Sequence, residues 1–126
     1  MGKLVLADNY PDTYEILSTR AEEQNVSVGE FEPATLGTHH AEVGAYLLWL
    51  WGIPEGLTEV VARHHTPSAG PGPIPPPVLI VHVADALVNR RGDTIQMEGL
   101  EAAGWSGHLP RWRNIWAETS QRILAR

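Results

Sequence analysis

Cysteine is absent from this 126-residue chain. Its absence excludes disulfide bonds, thiolate metal ligands and cysteine nucleophiles, and it is compatible with a reducing compartment such as the cytoplasm. Positive charge is also scarce, because 9 Lys and Arg residues stand against 15 Asp and Glu residues and give a net charge of −6. An acidic chain repels phosphate backbones, so we expect no nucleic-acid partner.

Long hydrophobic runs are missing as well. The apolar start at residues 4–6 is too short for a signal peptide or a membrane span, so we expect no membrane association. Hydrophobic residues make up 43% of the chain and charged residues 19%, which is typical of a globular domain. Proline is concentrated in residues 66–77, and this predicts a loop that is not helical.

Apolar residues recur at helical spacing along most of the chain, and no segment alternates clearly enough to predict a strand. The best strand candidate, residues 3–7, could equally begin a helix. The pattern predicts an all-α fold, an irregular helical bundle of about five to seven helices. The predicted helices span residues 10–25, 29–36, 39–51, 54–65, 78–89, 98–103 and 110 to the end of the chain.

Individual side chains near these helices carry further expectations. Thr38 is expected to cap the helix that follows it, because its hydroxyl can accept a hydrogen bond from an unpaired backbone N–H. Trp51 is expected to join the core, and Trp49 either to be exposed or to lie at an interface. Glu30 and Glu32 are expected to be surface charges near a helix start, where anions are favoured.

Side chains of the kind that bind metals fall on apolar faces of three successive predicted helices. His40 lies on the first helix, His64 and His65 end the second, and Asp85 lies on the third. His40, either His64 or His65, and Asp85 could therefore converge between the helices. Imidazole nitrogen and carboxylate oxygen suit zinc, iron or manganese, and such a site can hydrolyse phosphoesters. The interpretation we favour is a structural network, in which the buried polar groups hydrogen-bond to one another.

Four stretches of the chain stand out as motifs: HAEVGAYLL at residues 40–48, LWGIP at residues 50–54, HHTP at residues 64–67 and VHVADAL at residues 81–87. In their order and spacing they closely resemble the HDOD domain. This family is related to the HD-type metal-dependent phosphohydrolases, including the HD-GYP enzymes that hydrolyse cyclic di-GMP. The resemblance places His40, His64, His65 and Asp85 at metal-ligand positions of those enzymes.

The departures from the enzymes concern catalysis. No Asp follows a His anywhere in the chain, and the catalytic lysine and the Gly-Tyr-Pro motif have no counterpart. The resemblance therefore implies a non-catalytic regulatory domain for signal transduction in the bacterial cytoplasm, without catalytic residues or a cofactor. The alternative is a metal-dependent phosphohydrolase for a cyclic dinucleotide or a nucleotide phosphoester, with a divalent transition metal held by His40, His64, His65 and Asp85.

The resemblance also implies a single HDOD-like domain over residues 1–126. It corresponds to the C-terminal half of the family domain, without the helices that precede this half. The apolar surface that those helices cover would then be exposed. Burying one Leu- or Trp-sized side chain is worth roughly 1.5–3 kcal/mol, so we expect a homodimer or a protein partner to cover this surface.

Overall fold

The computed structural model describes residues 1–125, and Arg126, the last residue of the final predicted helix, lies outside the described residues. Residues 1–125 are all-α, as predicted, with short 3-10 helices between some of the α-helices and no strand. The α-helices are α1 (Gly2–Asn9), α2 (Pro11–Gln24), α3 (Glu32–Leu36), α4 (His40–Leu50), α5 (Glu55–Arg63), α6 (Pro76–Val88), α7 (Met97–Ala102) and α8 (Leu109–Leu124).

Local residue chemistry sets several helix ends. Pro11 opens α2 at the first helical position, where its missing N–H costs no hydrogen bond. Asn25 ends α2 in the left-handed conformation with φ of 52°, which confirms it as the predicted stop. Gly52 has φ of 77° and turns the chain between α4 and α5. None of the helices within residues 1–125 combines the length and the apolar character needed to cross a membrane.

The chain divides into two compact units, the first spanning Met1–His65 and the second beginning at Thr66. The assignment of residues 1–126 to one domain stays a prediction. In the first unit, α1, α2 and the 3-10 helix Val28–Glu30 enclose a small core. Its buried members are Leu6, Tyr14, Leu17, Ala21 and Val28.

A glycine crossing joins α1 to α4 in the first unit. A Cβ built on Gly2 would overlap the backbone oxygen of His40, and a Cβ on Gly44 would lie 3.3 Å from the backbone nitrogen of Gly2. Only a residue without a side chain allows the two backbones to approach so closely. The crossing therefore fixes the first turn of α4, which carries His40.

The second unit has a core of its own around α6. Leu79, Val83 and Ala86 follow one face of α6 at helical spacing and pack with residues from α7 and α8. The partly buried Trp105 and Trp112 pack against this cluster with their rings edge to face. The tryptophan pair thereby secures the first turns of α8.

Leu100 gives a direct test of the second core, because its side chain is 0% exposed. We expect Leu100→Ala to lower the free energy of unfolding by about 2–5 kcal/mol, through lost apolar burial and the cavity left behind. Urea denaturation followed by far-ultraviolet circular dichroism measures the change. Leu124→Ala, at an exposed position near the end of α8, is the control and should cost far less. Equal losses in the two variants would contradict the core assignment.

Three expectations from the sequence differ from the structure. Residues 3–7 belong to α1 and not to a strand, so α1 brings the number of helices to one more than the predicted range. The proline-rich loop is shorter than residues 66–77, because Pro67–Ala69 forms a 3-10 turn and α6 begins at Pro76. Proline is tolerated in the first turn of a helix, which explains that early start. Trp51 is not in the core, since its side chain is 63% exposed in the turn after α4.

Candidate functional site

The site lies at the start of α4, where the cap of the helix orients two adjacent histidines. The Nδ1 atom of His39 accepts a hydrogen bond from the backbone N–H of Ala41 at 3.0 Å, so His39, and not the predicted Thr38, caps α4 with its side chain. The Thr38 hydroxyl instead lies 3.4 Å from the Glu42 carboxylate. Because Nδ1 of His39 accepts, its proton is on Nε2 when the ring is neutral.

Glu32, at the first position of α3, supports His40 from behind. Its side chain is 0% exposed, so the expectation that it is a surface charge was wrong. The carboxylate accepts hydrogen bonds from the His40 backbone N–H at 2.7 Å, from His40 Nδ1 at 2.7 Å and from the Tyr14 hydroxyl at 3.0 Å. These donors satisfy a carboxylate that would otherwise be costly to bury.

The protonation states of this group follow from its surroundings. Burial alone would raise the pKa of Glu32, but the hydrogen bonds from His40 outweigh it and hold the pKa below its ordinary value. Burial and the adjacent carboxylate raise the pKa of the Tyr14 hydroxyl. Glu32 is therefore ionised and Tyr14 neutral near pH 7. Since an ionised carboxylate can only accept, His40 carries a proton on Nδ1.

His64 and His65 face the same site because α5 ends just before them, at Arg63. Adjacent residues within a helix point about 100° apart, whereas past the helix end both rings can turn to one side. His64 donates from Nδ1 to the backbone oxygen of Val61 at 2.8 Å. The Nε2 atoms of His65 and His40 lie 2.9 Å apart. The two segments thus bring three imidazoles together.

His65 is uncharged in this site. The pKa of His65 is lowered to about 3 from an ordinary value of 6.5. Burial is the largest cause, and the positive charge that neighbouring groups can carry adds to it. These neighbours are His64, His40, His39 and Lys3. Burial also lowers the pKa of His39. Because the His65 ring is neutral, it can either donate or accept in its hydrogen bond with Nε2 of His40. These side chains thus form a chain of hydrogen bonds running from Tyr14 through Glu32 and His40 to His65.

Two overlapping sets of side chains among the described residues could also hold a metal ion. One contains His40, His64 and His65, and the other contains Glu32, His39 and His40. Within each set, one potential ligand atom from every residue lies within 4.8 Å of the others. Three of the four ligand candidates predicted from the sequence, His40, His64 and His65, therefore lie close together.

The residues around this cluster also carry the sequence similarity. A family model described as HDOD domain matches residues 1–67, which is more than half of the chain. The chain belongs to the HDOD family. None of the curated proteins and none of the solved structures matches the chain. The HDOD match contains the HAEVGAYLL, LWGIP and HHTP stretches and therefore all three clustered histidines.

Asp85, the fourth predicted ligand, lies on α6 in the second unit, beyond the residues that the HDOD model matches. It is partly buried, and its carboxylate accepts a hydrogen bond from Asn89 Nδ2 at 3.0 Å, one turn further along the helix. On the same helix, Nε2 of the buried His82 accepts from the backbone N–H of Gln96 at 3.1 Å. That Asp85 belongs with the three histidines stays a prediction.

The sequence analysis did not identify Glu32 as the carboxylate that accepts hydrogen bonds from His40. Glu32 precedes His40 by eight residues, and no helical period connects them, because α3 ends and the chain turns at Gly37 between the two residues. The apolar neighbours Val28 and Phe31 were the only local signal that this segment packs inward. The hydrogen bond between the Tyr14 hydroxyl and Glu32 could not be inferred from spacing either.

Proposed function

We propose that this HDOD chain is a non-catalytic regulatory domain that works through protein contacts, as a signalling module of the bacterial cytoplasm. The observation that carries the proposal is an exposed aromatic face on the first unit. We define this face as Tyr46, Trp49 and Leu50 of α4 together with Trp51 in the turn that follows. Each of these side chains is more than half exposed.

The aromatic face has the character of a contact surface. Tyr46 and Trp49 lie one turn apart, and their rings stack with centroids 6.1 Å apart. Such pre-ordered aromatic side chains lose little conformational freedom on binding, and Trp and Tyr supply much of the binding energy at protein interfaces. Contiguous exposed apolar side chains mark interaction sites in soluble domains. A homodimer or a different protein would therefore bury this face.

The histidine cluster supports the non-catalytic part of the proposal. His40 is held between Glu32 on one ring nitrogen and His65 on the other. Groups that satisfy one another in this way hold the start of α4 against α3 and the end of α5. The His-Asp pair and the catalytic lysine of the related enzymes have no counterpart in the sequence, and this also supports a non-catalytic role.

Site-specific photo-crosslinking tests the contact surface. A photoreactive amino acid at position 49 is expected to give a discrete cross-linked band in a lysate of the source organism, or a dimer band with the pure protein. Tyr46→Ser should weaken that band, since it removes the ring against which residue 49 stacks. The control places the same amino acid at position 16 of α2, where Ile16 is equally exposed.

Sedimentation velocity over a range of concentrations completes this test. We expect either a concentration-dependent dimer that Trp49→Ser dissociates, or a monomer that gives the specific cross-link with a different protein. A monomer at every concentration, with the same cross-linking pattern from positions 49 and 16, would contradict the proposal.

The phosphohydrolase is the second candidate, and the grouping of His40, His64 and His65 is the observation that favours it. Its test is hydrolysis of a chromogenic phosphodiester by the full chain in the presence of Mn²⁺ or Zn²⁺. We expect a rate indistinguishable from that of the buffer with metal alone. Turnover that His64→Ala abolishes while the fold is retained would establish the enzyme instead.

A further inference from the structure

We propose that the aromatic face binds an arginine-bearing segment of a different protein, with the guanidinium group over the Tyr46 ring and paired with the Glu42 carboxylate. This inference rests on the proposed function, because it names the chemistry of the partner at the same face. It adds Glu42, which is not a member of the aromatic face, as the group that selects a positively charged side chain over a neutral one.

Negative charge is concentrated in the first unit. Ten of the 15 Asp and Glu residues lie within residues 1–65, together with only three of the 9 Lys and Arg residues, so this part of the chain has a net charge of −7 with neutral histidines. A surface of one charge sign attracts partners of the opposite sign and speeds their association. The charge of the first unit therefore favours a basic partner.

Basic residues are missing from the segment that forms the aromatic face. No Lys or Arg occurs in the sequence between Arg20 and Arg63. Arg63 is buried and forms an ion pair with Glu59. The guanidinium group of Arg20 lies over the Phe31 ring, 4.8 Å from its centroid, so it already makes the kind of contact proposed for the partner. An arginine of another protein would meet no competing cation from this segment.

Glu42, Tyr46 and Trp49 share one face of α4, because they are separated by four and three residues. Side chains at these spacings are neighbours on a helix, with about 5–6 Å between their Cβ atoms. All three side chains are exposed, and the rings of Tyr46 and Trp49 stack with centroids 6.1 Å apart. The three side chains thus form a row with a carboxylate at one end and two aromatic rings behind it.

This row matches the chemistry of an arginine side chain. A guanidinium group is attracted to the negative face of an aromatic ring, and its planar fork can also donate two parallel hydrogen bonds to a carboxylate. With the guanidinium group over Tyr46, its N–H groups can reach Glu42 while the aliphatic part of the side chain covers Trp49. The compact ammonium group of lysine lacks this planar fork, so arginine is the better match.

The Glu42 carboxylate is oriented and accessible. The Thr38 hydroxyl lies 3.4 Å from its Oε2 atom, which holds the side chain at the start of α4. Within residues 1–125, Glu42 forms no ion pair with a lysine or an arginine. An arginine from a partner can therefore pair with it without displacing a basic residue of the first unit.

A second copy of this chain matches the face less well. In a symmetric dimer the same surface of both copies is buried, so a dimer through α4 would bring two acidic first units together. Like charges that meet at an interface oppose binding. We therefore expect the chain to be monomeric and the occupant of the aromatic face to be a different protein.

Titration of the full chain with a peptide tests the requirement for positive charge. The probe is the acetylated pentapeptide amide Arg-Leu-Gly-Leu-Arg, and the control peptide carries citrulline, which is neutral and similar in shape, in place of both arginines. The indole N–H resonance of Trp49, assigned with Trp49→Phe, is expected to shift saturably with the arginine peptide only. The resonance of Trp105 in the second unit should not move. Glu42→Gln is expected to weaken binding about two- to fivefold, as for an exposed ion pair.

Charge reversal provides the matched variants. Glu42→Lys replaces attraction with repulsion and is expected to weaken peptide binding about tenfold. It should also weaken the cross-link that position 49 gives in a lysate. Glu15→Lys is the control, because Glu15 is exposed on α2 and its reversal changes the charge of the first unit by the same amount. Circular dichroism confirms that each variant is folded before it is titrated.

Three outcomes would overturn the inference. They are equal shifts of Trp49 with the arginine and citrulline peptides, no shift with either peptide, and equal effects of Glu42→Lys and Glu15→Lys. A dimer band from position 49 with the pure protein would also overturn it, because the occupant would then be a second copy. A cross-link that Tyr46→Ser weakens and Glu42→Lys leaves unchanged would retain the contact surface and exclude the basic partner, so the two proposals can fail separately.

Discussion

Glu32→Ala is expected to lower the free energy of unfolding by about 3–5 kcal/mol, near the lower end of the combined cost of leaving three buried donors unsatisfied. The substitution leaves the His40 backbone N–H, the His40 ring and the Tyr14 hydroxyl without their common acceptor. Each unsatisfied buried donor costs about 1–3 kcal/mol. Because α3 carries this carboxylate and its donors come from α2 and α4, the loss is expected to affect the whole first unit.

Chemical denaturation of matched variants measures this effect. Glu30→Ala removes an exposed carboxylate only two residues away and should change the free energy of unfolding by less than about 0.5 kcal/mol. Glu32→Gln retains the shape and one accepting oxygen, so its cost should fall between the two. Tyr14→Phe removes a single donor and should cost about 1 kcal/mol. A Glu32→Ala variant as stable as Glu30→Ala would disprove the buried network.

Glu32 also shows where sequence reasoning succeeds and where it ends. The all-α fold follows from local signals that act over a few residues, such as Pro11 at the start of α2 and Asn25 at its end. The meeting of His40 with His65 could be anticipated, because successive apolar helices pack together and both residues lie on inward faces. The contact between His40 and Glu32 could not be anticipated, because the turn between α3 and α4 interrupts the helical period that would relate the two residues.

Exposure was harder to predict than helix position. Trp51 follows the apolar face of α4 by sequence spacing, but α4 ends at Leu50 and the chain turns at Gly52, so the indole points away from the core. The helical period places a side chain only while the helix continues. His64 and His65 illustrate the reverse case, because the end of α5 allows two adjacent residues to face one site.

Acidification of the metal-free protein is expected to destabilise it below pH 6.5, the ordinary pKa of histidine, well before the carboxylates titrate. The folded state lowers the pKa of His65 to about 3, mainly through burial, so between these two values the unfolded chain takes up a proton that the folded chain refuses. Stability therefore falls as the pH falls through this window. One pKa unit corresponds to about 1.4 kcal/mol, and partial solvent screening of His65 reduces the expected slope to about 0.5–1 kcal/mol per pH unit.

Other titrating groups near His65 define how the pH experiment is read. Burial lowers the pKa of His39, which adds to the slope in the same direction. The lowered pKa of Glu32 contributes stability that is lost only as the pH falls below about 4.5, its ordinary value, so it forms a separate and more acidic phase. Urea denaturation at several pH values, in the presence of a chelator, separates the two phases.

Variants assign the histidine phase to its residue. His65→Gln is expected to flatten the dependence of the unfolding free energy on pH between about pH 6.5 and 5, whatever its effect on stability at neutral pH. His108→Gln changes an exposed ring in the second unit and should retain the full slope. The same slope in the wild type and in His65→Gln would mean that His65 is hydrated and titrates normally. In that case the hydrogen bond between the Nε2 atoms of His65 and His40 would not persist in solution.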